Sequence, residues 1–153
     1  MIFYAIVIAV CVAFDQIVKA LAVRFLAPVT TVPIIPRVFH LTYIENTGAA
    51  FSIFAGKSIF LIVLTSALIA VLIWLLVSLP KTKAYLTMNT AFALVIGGAV
   101  GNLIDRIRLG YVVDFFDFRL IGFAIFNVAD CFVVVGCALI MIQVIKNSLH
   151  APD

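Results

Sequence analysis

Two stretches of this chain, Ser58 to Pro80 and Ala84 to Ile104, each run for more than twenty residues without one Asp, Glu, Lys or Arg. A helix needs about 20 mostly apolar residues to cross a hydrocarbon core about 30 Å thick, so both are long enough to span a bilayer. Composition agrees. Of 153 residues, 66% are apolar and 11% charged, against about a quarter charged in a soluble domain. A protein of this size leaves about a third of its unfolded surface wet after folding, so it cannot hide so much apolar surface in water. Soluble enzymes, secreted disulfide scaffolds and disordered tails are excluded together.

Two further segments cross only if they tolerate a charge: Met1 to Val23, carrying Asp15 and Lys19, and Ala124 to Ile145, carrying Asp130. Ala20-Leu21-Ala22 has the small residues of a cleavage site, but the segment lacks a basic leader and holds charges where a signal sequence is apolar. It is read as a retained span. The expectation is one integral-membrane domain over residues 1–153, mainly α, with four transmembrane helices at about 1–23, 58–80, 84–104 and 124–145. No repeat or low-complexity segment interrupts it.

The links are unequal. Spans two and three are joined through Pro80-Lys81-Thr82-Lys83, whereas the first link exceeds thirty residues and carries Pro28, Pro33 and Pro36. Within it Val38 to Ile44 alternates, with Phe39, Leu41 and Tyr43 on one face and His40 and Thr42 on the other, which is strand periodicity. A turn at Glu45-Asn46-Thr47-Gly48 and a second apolar run, Ala49 to Phe54, follow, so a small sheet on the membrane surface is expected over about 28–55. The third link, about 105–123, mixes charges with aromatics. The net charge of +3 is scattered; without a basic stripe interleaved with aromatics it suits anionic headgroups, not nucleic acid. Cys11, Cys131 and Cys137 show no metal-ligand spacing and read as small core hydrophobes.

Four spans bring Asp15, Glu45, Asp105, Asp114, Asp117 and Asp130 toward one leaflet; of the seven acids only Asp153 lies elsewhere. Asp15 falls about 20 Å along its helix and Asp130 about one or two turns into span four. A carboxylate at such depth opposes insertion by roughly 2.5–3.5 kcal/mol and is functional by default. For Asp15 the competing reading is an i,i+4 ion pair with Lys19 that lets the helix insert; Asp130 has no such basic neighbour. Gly97 and Gly101 have the spacing of a close helix contact. His40 reads as a wet strand residue, and Glu45 and Asp117 as solvated loop charges. HExxH, GxSxG and an intramembrane Ser/Lys pair are missing from the sequence, so the available catalytic groups are carboxylates, and neither metal nor cofactor is expected.

Two carboxylates about 3 Å apart share one proton over a range of pH. The ionised member can take a proton from water while the protonated one donates to a substrate carbonyl, which hydrolyses a peptide bond directly. Asp15, Asp105, Asp114 and Asp130 all remain candidates on these grounds. Alternatives from other classes are a proton-coupled transporter with Asp15 as its titrating group and a non-catalytic tetraspan assembly factor.

Five segments stand in order: Asp15-Gln16-Ile17-Val18-Lys19, Asn46-Thr47-Gly48-Ala49-Ala50-Phe51, Gly101-Asn102-Leu103-Ile104-Asp105-Arg106, Val112-Val113-Asp114-Phe115 and Phe126-Asn127-Val128-Ala129-Asp130. Together they resemble the sequence boxes of lipoprotein signal peptidase (signal peptidase II), over essentially the whole chain. The resemblance implies an integral-membrane aspartyl peptidase with four helices and a surface β-cradle. Such a peptidase removes the signal peptide from diacylglyceryl-modified prolipoproteins, before the lipidated cysteine, in the bacterial inner membrane. It implies Asp114 and Asp130 as the catalytic dyad and Asp105 as a support holding Arg106. Asn46, Asn102, Arg106 and Asn127 are implied around substrate and dyad, with Asp15 and Lys19 in a structural role. Globomycin is implied as an inhibitor, and a monomer is expected. Acyl burial, at about 0.8 kcal/mol per CH₂, would supply much of substrate binding.

Charge and resemblance disagree on orientation. Arg24, Arg37, Lys57, Arg106, Arg108 and Arg119 lie on the carboxylate side and only Lys81, Lys83 and Lys146 on the other, which by the positive-inside rule would make the carboxylate side cytoplasmic. The resemblance puts it outside, with both termini cytoplasmic, and that orientation is the expectation.

Overall fold

The computed structural model describes residues 1–48 and 54–149. Four long helices cross in sequence: α1 (Ile2–Leu21), α2 (Ser58–Ser78), α3 (Leu86–Leu109) and α4 (Val128–Leu149). All four, with short helical extensions on α1 and α3, are long and apolar enough to cross a membrane. A wider π-helical turn, Ala22–Leu26, continues α1. The third helix outruns its expected end at Ile104, so Asp105 and Arg106 lie on its last turns and not in a link. It stops at Gly110, whose φ of +84° closes the end in the left-handed conformation.

The central helix is α3, which packs against α1, α2 and α4. Glycines permit this approach. A methyl on Gly97 would fall 2.6 Å from Cys11 Cβ, and one on Gly101 would fall 2.6 Å from Asp15 Oδ2. The expected glycine contact is therefore between α3 and α1. The opposite face of α3 reaches α4 through Gly98 and Gly136, each of which brings its backbone against a carbonyl of the facing helix. Ile69, Leu72, Leu76, Phe92 and Ile96 form the core between α2 and α3, closed by Tyr4 of α1. The rest of α2 looks outward, Ile59, Val63 and Trp74 among its exposed residues. Such an all-round apolar helix is stable where the solvent is lipid. The α2–α3 turn is clasped by polar groups: Lys81 Nζ donates to the Leu76 and Leu79 carbonyls and to Asn89 Oδ1, and buried Asn89 donates to the Pro80 and Tyr85 carbonyls.

At the other end lies an antiparallel sheet in the order β1 (Thr31–Ile35), β2 (Phe39–Asn46), β3 (Val112–Asp117). Pro33 is tolerated because β1 is an edge strand. The first link thus forms a sheet as expected, but its third strand comes from the third link. The expected turn shifts too: Glu45 and Asn46 belong to β2, and the chain bends at Gly48. Of the second apolar run, residues 49–53 lie outside the described residues. The alternation in β2 is real but inverted, since His40 and Thr42 are buried while Phe39, Leu41 and Tyr43 are half-buried. His40 is therefore not a wet residue. Asp117, read as a solvated loop charge, is also buried: it accepts from Thr42 Oγ1 at 2.7 Å and pairs with Arg119 Nε at 2.8 Å. Glu45 is exposed but sits on the strand. Among the cysteines Cys11 is buried and Cys131 partly so, whereas Cys137 faces outward and is no core residue.

Candidate active site

The sheet meets the helices through Val113, Phe115 and Val128, packed on Ala22 and Leu26 at the end of the first span. This packing fixes where β3 runs and where α4 starts. Asp114, in mid-strand, is 2% exposed. Its Oδ1 accepts from Asn127 Nδ2 at 2.6 Å and its Oδ2 from Asn46 Nδ2 at 2.9 Å.

Helix α4 begins at Val128 and not at Ala124, so Asp130 stands in the first turn rather than one or two turns deep. Asn127 precedes it as a cap. Its Oδ1 accepts the Asp130 N–H at 3.0 Å, while Asp130 Oδ2 accepts the Asn127 N–H at 3.1 Å. That reciprocal box satisfies two otherwise orphaned amides, and the positive end of the helix dipole favours a carboxylate there. Asp130 Oδ1 accepts from Asn102 Nδ2 at 2.8 Å. Asn127, fully buried, also donates from Nδ2 to Asn102 Oδ1 at 3.0 Å. All four oxygens of the two carboxylates thus hold an N–H donor.

Both carboxylates line one cavity of about 760 Å³, together with Asn46, Asn102 and Arg106. Its other wall is apolar, with Ile44 and Val112 from the sheet, Phe123, Ile125 and Phe126 from the third link, and Val133–Val135 along α4. Burial pushes the Asp114 carboxyl up to about 6, and the Asp130 charge acts the same way; the Asn46 and Asn127 hydrogen bonds and the Lys19 charge pull against it. Arg106 donates to the Gly48 carbonyl at 3.0 Å and to the Asn102 carbonyl at 3.4 Å, and its buried Nε has no hydrogen-bond partner among the described residues.

Asp105 does not hold Arg106 through a hydrogen bond or ion pair among the described contacts. It turns toward α1, where Lys19 Nζ lies 2.9 Å and Gln16 Nε2 2.9 Å away, and toward β3, accepting the Val113 N–H at 3.2 Å. Asp15 and Lys19 form their i,i+4 pair at 2.9 Å with Asp15 fully buried. Lys19 also reaches Asn102 Oδ1 at 2.8 Å. Gln16, to which no role was assigned, bridges Asp105, Asp15 and the Gly101 carbonyl. An uncharged amide beside a buried acid in a span was the signal. The structure therefore brings Asn46, Asn102, Arg106, Asp114 and Asp130 around one cavity, with Asn127 buried between the two acids and Asp15, Lys19 and Asp105 bonded to the residues that carry them.

The family model described as "Signal peptidase (SPase) II" matches residues 7–146. The chain is 47% identical over 135 residues to the lipoprotein signal peptidase of Caldanaerobacter subterraneus subsp. tengcongensis, covering 88% of this chain and 90% of that one. It is 46% identical over 143 residues to the lipoprotein signal peptidase of Clostridioides difficile, covering 93% and 94%. A solved structure described as a "Bacterial membrane enzyme structure by the in meso method at 2.3 A resolution" superposes with a TM-score of 0.86 at 30% identity, covering 100% of this chain and 93% of that one.

Proposed function

The chain belongs to the signal peptidase II family, and on that footing we propose that it is the membrane peptidase that frees prolipoproteins of their signal peptides, with Asp114 and Asp130 as its catalytic pair. The bond cut is the one before a diacylglyceryl-modified cysteine, and the site opens at the extracytoplasmic face of the bacterial inner membrane. The observation that carries this reading is the shared cavity: two carboxylates, each held by amide donors, with an apolar wall along α4 on which acyl chains can lie.

The chemistry follows from the hydrogen bonding. With one donor already on every carboxylate oxygen, the remaining lone pairs are available for a shared proton and a water molecule. The ionised carboxylate takes a proton from water as the water oxygen bonds to the scissile carbonyl carbon, and the protonated one donates to the carbonyl oxygen. Collapse of the resulting diol returns that proton to the pair. The leaving nitrogen takes a proton from the pair as the C–N bond breaks, giving a carboxylic acid and a free amine. Arg106, whose side chain lines the cavity, can donate to a peptide carbonyl of the bound precursor. A globomycin-type cyclic peptide would compete for the same cavity, and a single protomer contains every group the reaction uses.

The test is cleavage of a lipidated precursor by purified protein in detergent. Asp114→Asn and Asp130→Asn should remain folded and lose activity by about 10²–10⁴-fold, the scale seen when a group acting in proton transfer is removed. Cleavage at the wild-type rate by either variant refutes the dyad and moves the catalytic role to other groups of the site.

A further inference from the structure

Behind the cavity sits a buried cation that the reaction steps above do not use. The Lys19 side chain is 4% exposed, and its ammonium has three acceptors: Asp15 Oδ2 at 2.9 Å, Asp105 Oδ2 at 2.9 Å and Asn102 Oδ1 at 2.8 Å. An ion pair serving only to carry α1 into lipid needs Asp15 alone. The second carboxylate and the amide call for another explanation, because buried ion pairs are not in general a source of stability.

Each of the two acids also grips a backbone amide. Asp15 Oδ1 accepts the N–H of Ala129 at 2.9 Å, and Asp105 Oδ2 accepts the N–H of Val113 at 3.2 Å. Ala129 immediately precedes Asp130, and Val113 immediately precedes Asp114. One ammonium therefore lies between two carboxylates that hold the start of α4 and the middle of β3 by the residue next to each acid. The third acceptor acts on hydrogen-bond polarity. With Lys19 and Asn127 Nδ2 both donating to Asn102 Oδ1, the Asn102 amide nitrogen can only face Asp130, and Asn127 is turned so that its own nitrogen faces Asp114. An amide cannot reverse while a cation rests on its oxygen.

We infer that Lys19, with Asp15 and Asp105, is a positioning cluster that fixes the separation of Asp114 and Asp130 and the direction of the amide donors between them. This rests on the dyad reading above. The charged groups facing Asp114 are Lys19 from α1, Arg106 from α3 and Asp130 from α4, while β2 offers the neutral Asn46; Lys19 itself faces Asp15 and Asp105. Removing the ammonium removes an attraction that favours ionised Asp114, so its proton persists to higher pH.

The experiment measures kcat, KM and the pH profile of precursor cleavage for Lys19→Met and Gly101→Ala, with Ile96→Ala as a packing control away from the cluster. Lys19→Met should lose about 100-fold in kcat, the scale of a 1 Å misplacement, with little change in KM and with the alkaline limb displaced to higher pH. In Gly101→Ala the new methyl would lie 2.6 Å from Asp15 Oδ2, so the cluster is pushed with its charges intact; kcat should fall while the limb stays. Ile96→Ala should lower Tm but keep kcat and profile. Wild-type kcat in folded Lys19→Met overturns the inference, as does an equal kcat loss in Ile96→Ala. If Lys19→Met does not fold, wild-type kcat in Gly101→Ala overturns it. Asp114→Asn and Asp130→Asn run in parallel separate the two failures: cleavage by these variants sinks the dyad, whereas their inactivity beside a fully active Lys19→Met sinks only the cluster.

Discussion

Asn127 does three things with one side chain: its oxygen caps α4, and its nitrogen reaches both Asp114 and Asn102. Donors on both Asp114 oxygens favour the carboxylate, yet burial outweighs them and holds its pKa up to about 6. A carboxyl raised in the folded state keeps its proton to higher pH, so the singly protonated pair is lost as pH rises through that value. The profile of kcat should therefore descend on the alkaline side from about pH 6, as a property of the coupled pair. Asn46→Ala removes a donor that favours the ionised form and should move the descent upward; a descent unmoved or moved downward contradicts the assignment. At this scale the sequence was partly legible. The leaflet shared by the acids could be read by counting spans. The burial of His40 and Asp117 could not, because alternation says which residues share a face and not which face turns inward.

Helix contacts carry the next level. A Cβ on Gly98 would collide with the Ala129 carbonyl oxygen, and one on Gly136 would lie 2.8 Å from the Ala91 carbonyl oxygen. Because the obstruction is backbone, neither can be relieved by a side-chain rotation. Gly98→Ala and Gly136→Ala should each destabilise the protein by about 1–3 kcal/mol, read as a fall in Tm in detergent. Gly98→Ala should in addition impair cleavage, because it displaces the residue next to Asp130; equal activity in the two variants would argue against that coupling. The four long helices announce themselves by hydropathy, but their ends do not. Ala124-Ile125-Phe126 continues the apolar run of α4 in sequence, yet Phe126 bridges to Phe116 and the helix waits for the Asn127 cap. Strand β3 escaped notice because Val112 to Phe115 are all buried, on both faces, which erases the period of two that marks a half-exposed strand. The Pro33-containing edge strand was hidden by its proline for a related reason: sequence alone does not tell an edge from an interior position.

Among the described residues, the buried acids Asp15, Asp105, Asp114 and Asp117 gather at one end of the molecule, and an apolar surface wraps the helices. Two of the six cations that oppose the proposed orientation are engaged there, Arg119 with Asp117 and Arg106 at the cavity, so a simple count of positive charges overweights that side. Arg108→Cys and Lys83→Cys, both at exposed positions, in a background with the native cysteines replaced by Ala, test it. A membrane-impermeant thiol reagent should label the first in intact spheroplasts and the second only after lysis; the reverse pattern turns the molecule over. The sheet has a further consequence. Strand β2 comes from the link after the first span and β3 from the link after the third, while Asp130 arrives with the fourth. On the proposed dyad, a chain emerging from the ribosome carries no working blade until its final helix has entered the bilayer, and a truncated product would be unable to cut the neighbouring precursors that share its insertion route.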